Sequence, residues 1–254
     1  MGVTINPGWP VAIACVLLLV TTMIAYAVGR LPKPASTAVA AGRAVLQLGL
    51  AALVIAAVVK SLALSILLLC LMFSIAVVTT VRRIGAARAW PWALLAMLAG
   101  LVPTLAIILL TRTIPPVGIA LVPVVGILAG NTMNGHTLVC RRAFDSLREE
   151  KGQYEAALSI GLMRSQAVWE VIHRRLPEAL IPGLDQVRTA GVVTLPGAFI
   201  GVLLGGGSPA QAAAAQVLVL MGIMASQTIT AVVAERLIMA AKLLPDDLRV
   251  SLQP

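Results

Sequence analysis

The chain is poor in charge and in aromatic side chains. Of its 254 residues only 11% are Asp, Glu, Lys or Arg and 4% are Phe, Trp or Tyr. A soluble domain carries about a quarter of its residues charged. Apolar residues make up 59%, more than the interior of one compact globule of this length can hide, so lipid is the expected surrounding. That composition excludes a soluble enzyme, a disordered chain and a secreted disulfide scaffold. The three cysteines, Cys15, Cys70 and Cys140, form no CxxC pair and imply no disulfide framework.

Catalytic and energising motifs are missing too. There is no HExxH and no GxSxG, and His136 and His173 lie far apart. The four lysines follow Pro32, Val59, Glu150 and Ala241, so no Gly-Lys-Ser/Thr loop exists to hold nucleotide phosphates. Neither an enzyme nor a self-driven pump is expected, and any ATP would be bound elsewhere. The ten carboxylates all fall outside the apolar runs. Proton- or sodium-driven carriers hold an ionisable group inside the membrane, at about 2.5–3.5 kcal/mol per charge. An odd number of spans also fails to divide into two inverted halves.

What the chain does have is a series of runs near the 20 apolar residues that a bilayer requires. They fall at about Trp9–Val28, Ala44–Val59, Ser61–Val81, Ala89–Thr111, Pro116–Val139, Val187–Leu204 and Ala213–Ala234. The expected fold is therefore all-α and polytopic, with about seven transmembrane helices in one domain spanning residues 1–254. The second and third runs admit an alternative, a hairpin that enters only partway. Basic residues sort strongly: all 19 lie on one side except Lys60 and Arg112. Positive loops stay cytoplasmic, which predicts an outside N-terminus and a cytoplasmic C-terminus. The net charge of +9 thus reads as a topology signal, and no nucleic-acid partner is implied. Ala25-Tyr26-Ala27 resembles a signal cleavage site, but basic residues follow the first run instead of preceding it, so a retained span is expected.

Residues 141–186 alone have the composition of a soluble protein. Arg141–Lys151 extend the fifth span as a polar helix, and Gly152 is expected to break it. Tyr154, Glu155, Ala156, Ala157, Leu158, Ser159 and Ile160 follow as a short helix stopped by Gly161. Ser165 then caps a helix carrying Val168, Trp169, Val171, Ile172 and Leu176, and Pro177 and Pro182 mark the turn back to the bilayer. A two-turn helix does not hold itself together in water. It must be clamped by its neighbours and pressed on something, either the membrane surface through Leu158, Ile160 and Leu162 or a cytoplasmic partner.

Glu155-Ala156-Ala157 followed by Gly161 resembles the EAA loop of ABC importer permeases, although Leu176-Pro177 comes three residues late for that pattern. Along nearly its whole length the chain is similar to the FetB-type permeases, the membrane subunits of ABC iron exporters. The segments that carry the similarity are Gly42–Leu48, Val122–Met133, Glu155–Gly161, Ala179–Gly197 (with Thr194, Pro196 and Gly197) and, more loosely, Ser208-Pro209 with Gln216–Thr230. The resemblance implies a homodimer in the inner (plasma) membrane, paired with two copies of a cytoplasmic ABC ATPase that carries the ATP and Mg. It also implies that Tyr154–Gly161 is an ATPase-coupling element and that iron or another metal species is exported. Plant relatives are linked to aluminium tolerance and to a sugar nucleotide, so an organic cargo stays open, as does a scaffold through which nothing crosses.

Residues that could line a passage follow from helical spacing. Gly197, Gly201 and Gly205 bare one face of the sixth span for close packing or a pathway wall, and Pro196 is expected to kink it. In the fifth span Asn131 and Asn134 must find hydrogen-bond partners, as glue or as a polar lining. His136 reads as an interfacial residue. In the seventh, Met221 and Met224 share a face with Thr228, beside Gln227, and Met at such positions is ordinary packing or a soft-metal contact. Gln47 is the corresponding polar intrusion in the second span. No metal ligand set is assigned.

Overall fold

The structure is a computed structural model describing residues 8–30, 32, 34–58 and 61–252. Lys33, Val59 and Lys60, which enter the charge count and the second run, lie outside the described residues. The described residues form eleven α-helices and no named strand. In order they are α1 (Trp9–Val28), α2 (Pro34–Val58), α3 (Leu62–Ile84), α4 (Trp90–Leu110), α5 (Gly118–Glu149), α6 (Lys151–Ser159), α7 (Arg164–Ile172), α8 (Leu176–Thr189), α9 (Gly197–Leu204), α10 (Pro209–Met239) and α11 (Asp246–Ser251). Six of them, α1 to α5 and α10, are long and apolar enough to cross a membrane.

The chain packs as two units, Met1–Lys60 and Ser61–Pro254. In the first, α1 coincides with the predicted first span. Helix α2 begins well before Ala44, because the Ala-rich stretch after Pro34 is a good helix former despite its modest hydropathy. Arg43 therefore lies inside a helix instead of in a loop. Membrane-length segments of 21 and 23 residues in α2 and α3 argue against a half-crossing hairpin.

In the second unit, α10 packs along α4 and α5, and α3 lies along α5. Small residues set these crossings. A Cβ on Gly100 would run into the Thr230 hydroxyl and the Ser226 carbonyl, so α4 and α10 meet backbone to backbone. Large apolar side chains such as Leu67, Leu71, Val102 and Ile107 stay exposed, which suits an acyl-chain surround. Ser208 starts α10 with a capping box: its hydroxyl accepts from the Gln211 amide at 3.2 Å, and the Gln211 side-chain oxygen accepts from the Ser208 amide at 2.9 Å.

Three local expectations need correction. Helix α5 ends at Glu149, with Glu150 between it and α6, and Gly152 is helical. The N-cap of α7 is Met163, whose amide donates to the Gln166 side chain at 2.9 Å, and Ser165 is already helical. Pro182 sits inside α8, while Pro177 occupies its first turn, where the missing N–H costs nothing.

The largest correction concerns the sixth run. Val187–Leu204 is not one helix: α8 ends at Thr189, α9 starts at Gly197, and a turn fills the gap. Gly191 adopts φ +83, and Pro196 is extended at φ −68, ψ 157. Glycine makes the left-handed step available, and proline pushes its predecessor out of helical geometry. Pro196 therefore starts a helix where a kink within one was expected. Helix α8 begins near the C-terminal end of α5, and α9 lies beside Ile119 and Pro123 at the N-terminal end, where α10 also starts. The broken pair thus carries the chain back along α5.

Candidate functional site

Helix α6 is held on one side and free on the other. Tyr154 and Ala157 are buried against α7 residues Val168, Val171 and Ile172. The Tyr154 hydroxyl donates to the Leu252 carbonyl at 3.0 Å, tying α6 to the end of α11. Gly161, at φ +90, ends the helix, with the Leu162 amide returning to the Ala157 carbonyl at 3.1 Å. Glu155 and Ala156 face outward, Ile160 is exposed, and Leu158 is half-buried. The predicted coupling set therefore divides: Tyr154 and Ala157 are anchors, while Glu155, Ala156 and Ile160 form the outer face. Leu158 and Leu162 pack against the protein core. Beside this element a cavity of about 470 Å³ opens between α7 and the end of α10, lined by Leu162, Gln166, Trp169, Glu170, Arg236 and Met239.

The same end is braced by charge. Arg148 donates to Asp247 at 2.8 Å, and its guanidinium holds the Asp247 carboxyl below the usual carboxylate range. Glu235, nearly buried in α10, meets His173 Nδ1 at 2.8 Å, and Trp169 stacks on His173 at 4.5 Å.

Midway along α5 the polar residues converge. The Gln227 side-chain amide donates to the Asn131 carbonyl at 3.0 Å. The Asn131 side-chain amide donates to the Ile127 carbonyl at 2.9 Å, and the Asn134 side-chain oxygen accepts from Arg83 at 3.3 Å. A cavity of about 150 Å³ joins Asn131, Asn134 and Gln227 to Gln186, Pro182 and Gly183 of α8. A second of about 100 Å³ adds Met224, Thr228, Leu180 and Leu184. Gly183 makes this junction possible, because a Cβ there would meet the Gln227 side-chain oxygen. The structure thus brings Asn131, Asn134, Gln227 and Met224 together. Met221 points away and is exposed. Gln47 lies on α2 in the other unit and is exposed there.

Gly197 and Gly201 line a larger, mostly apolar cavity of about 780 Å³ between α9 and the first halves of α5 and α10. Helix α9 buries none of its residues. Thr194 belongs to the turn: its carbonyl accepts from the Gly191 amide at 2.8 Å, and its amide donates to the Thr189 carbonyl at 3.2 Å. His136 is not interfacial. It is fully buried between α3 and α5, bonded to Thr80 at 3.0 Å and 3.7 Å from the Cys140 sulfur.

Sequence reasoning missed one pair altogether. Asp185 and Arg188, ion-paired at 3.5 Å, were expected beyond the apolar core, but α8 carries them along α5 past the Gly183–Gln227 junction. Their neighbours Gly183 and Gln186 border Asn131, Asn134 and Gln227, so α8 brings the pair alongside the middle of α5. Both are largely exposed, at 54% and 72% of their side-chain surface. An Arg or Asp facing acyl chains in the middle of a bilayer costs about 2.5–3.5 kcal/mol. The only available signal was that a proline can sit inside a membrane helix without ending it, which would have moved the start of the run back toward Leu176.

Six membrane-length helices, a broken return segment with polar groups alongside the middle of α5 and a set of short clamped helices at one end define a polytopic α-helical membrane protein. The chain belongs to the uncharacterised protein family UPF0014, whose family model matches residues 9–242. It is 31% identical over 140 residues to the UPF0014 membrane protein STAR2 of Oryza sativa subsp. japonica, covering 55% of this chain and 49% of that one. It is 30% identical over 138 residues to the protein ALUMINUM SENSITIVE 3 of Arabidopsis thaliana, covering 54% and 50%. Over 148 residues it is 28% identical to the "Probable iron export permease protein FetB" of Escherichia coli K12, covering 58% and 57%. The chain spans about half the length of the curated relatives it matches. No solved structure matches it.

Proposed function

We propose that the chain is the membrane subunit of an ATP-driven permease. Two copies form the passage, and two copies of a separate cytoplasmic ATPase, which binds ATP and Mg, drive it. Both packing units act in one permease domain, in the inner (plasma) membrane, with the N-terminus outside and the C-terminus cytoplasmic. The pair α8–α9 counts as a seventh, broken crossing. The observation that carries this reading is α6: a short helix braced by Tyr154 and Ala157, with Glu155, Ala156 and Ile160 presented outward from the basic end of the bundle. A braced helix transmits a push that a free loop would absorb. Closure of the ATPase pair would act on α6, and through its packing on α7 and its link to α5 would move the α5–α8–α10 junction.

The cargo is iron or another metal species moved outward, a reading supported by the printed name of the bacterial relative. Among the described residues no three or more His, Cys, Asp or Glu side chains gather as a metal site. Such a cargo would be passed along amides, hydroxyls and carbonyls without being tightly held. A second reading, export of an organic anion such as a sugar nucleotide, is favoured by the carboxylate-free amide lining of Asn131, Asn134, Gln186 and Gln227.

The test is flux in proteoliposomes holding this chain and its ATPase. ATP-dependent metal movement is expected, and Glu155→Arg lowers it about tenfold or more while the protein still inserts. Flux unchanged by Glu155→Arg removes the coupling role. No ATP-dependent flux of metal or organic anion leaves a scaffold.

A further inference from the structure

Asp185 and Arg188 are one helical turn apart on α8, on the face turned away from α5 and α10. Alongside the apolar run of α5 an acyl-chain surround would be costly for each charge, which favours water or protein over lipid on this face. Beside the pair Ile181 on α8 is exposed, and so are Val192, Val193 and Leu195 in the turn that follows. A surface with an acidic and a basic group side by side within an apolar rim is complementary to itself. A two-fold axis places residue i of one copy on residue j of the other, and j on i. Two copies related by an axis along the membrane normal run their α8 helices in the same direction. The two charges then differ in depth by about one turn, a gap that an Arg side chain spans.

We infer that this face of α8 and its following turn is the seam between two copies of the chain, in which Asp185 of each pairs with Arg188 of the other to close the passage at mid-depth. The inference rests on the two-copy permease proposed above and gives it a closing site that one chain cannot complete. The pairing seen within one chain, at 3.5 Å, is the arrangement each carboxylate would exchange for a cross-chain partner. Because the crossing is interrupted at Ala190–Pro196, α8 can change its neighbour without carrying α9 with it. Opening then means separating two ion pairs, a change small enough for a lever at one end of the bundle to drive.

The test uses two differently tagged full-length chains, Asp185→Arg and Arg188→Asp, expressed singly and together and recovered from membranes through one tag. Alone, each has like charges throughout the seam, and self-association is expected to fall about tenfold or more. Together, each cross-chain pair is restored while both internal pairs stay broken, so mixed dimers form at the parent level. Self-association of either variant at the parent level, or mixed chains that fail to recover one another, overturns the proposal. If a single variant does not insert, Ile181→Cys in a chain with Cys15, Cys70 and Cys140 replaced by Ser is treated in membranes with a short bifunctional thiol reagent. A covalent dimer is expected, and its absence overturns the seam. Pairing is read without the ATPase: intact pairing with no ATP-driven flux counts against the permease alone, and normal flux with no pairing counts against the seam alone.

Discussion

The two ends of α5 are built differently. At the C-terminal end Phe144, Leu147, Tyr154, Ile172, Ile238, Leu248 and Leu252 are almost wholly buried in one continuous core. At the N-terminal end α9 buries nothing and borders a cavity of about 780 Å³. A dense cluster moves as a unit, whereas a loosely held helix next to empty space can be repositioned at little cost. The end of the bundle that carries α6 is therefore rigid, and α9 is the part free to move.

The most severe way to break that contrast is Tyr154→Ala, which removes a buried ring from the dense end and is expected to cost about 3–5 kcal/mol by analogy with other aromatic truncations. Tyr154→Phe, losing only the bond to Leu252, should cost about 1 kcal/mol. Ile200→Ala in α9 should stay within about 0.5 kcal/mol. Thermal unfolding in detergent ranks the three, and equal losses at both ends would erase the contrast. Next in size is Gly100→Leu, where the obstacle includes the α10 backbone and overpacking costs about 1–3 kcal/mol or more. At Gly183 the obstacle is only the tip of Gln227, so Gly183→Ala should lower stability by about 1 kcal/mol or less and reduce transport more than folding.

The smallest effect is electrostatic. Arg148 lowers the pKa of Asp247, so the pair contributes stability above the ordinary Asp range and loses it as the pH falls through the lowered value. The pair is exposed, and such bridges are worth about 0–1 kcal/mol. Asp247→Asn should lower stability at neutral pH by no more than that and leave the acid end unchanged, so the acid limb becomes slightly flatter.

Much of this organisation was legible in the sequence because membrane helices answer mainly to hydropathy. Trp9–Val28 coincides with its run, and α5 continues past Val139 as its polar tail required. The short helix before Gly161, and the need to clamp it, followed from length alone. The break between α8 and α9 was hidden because Gly191 and Pro196 sit in an apolar stretch, where composition reads through it. Asp185 and Arg188 were hidden for the converse reason: hydropathy assigns charged residues to loops and cannot see a helix that carries them alongside α5. The division of α6 into anchors and an outer face also escaped, since Ala156 and Ala157 are chemically alike and differ only in which way they point. That difference makes Ala157→Asp a folding defect, while Ala156→Asp alters only the outer face.

The most direct measurement of the lever is therefore thiol accessibility at those two alanines, in a chain whose natural cysteines are replaced. Ala156→Cys should react readily with a membrane-impermeant maleimide added from the cytoplasmic side and become protected when the ATPase is bound. Ala157→Cys should be unreactive throughout. Labelling of Ala156→Cys that is the same with and without the ATPase would contradict the account.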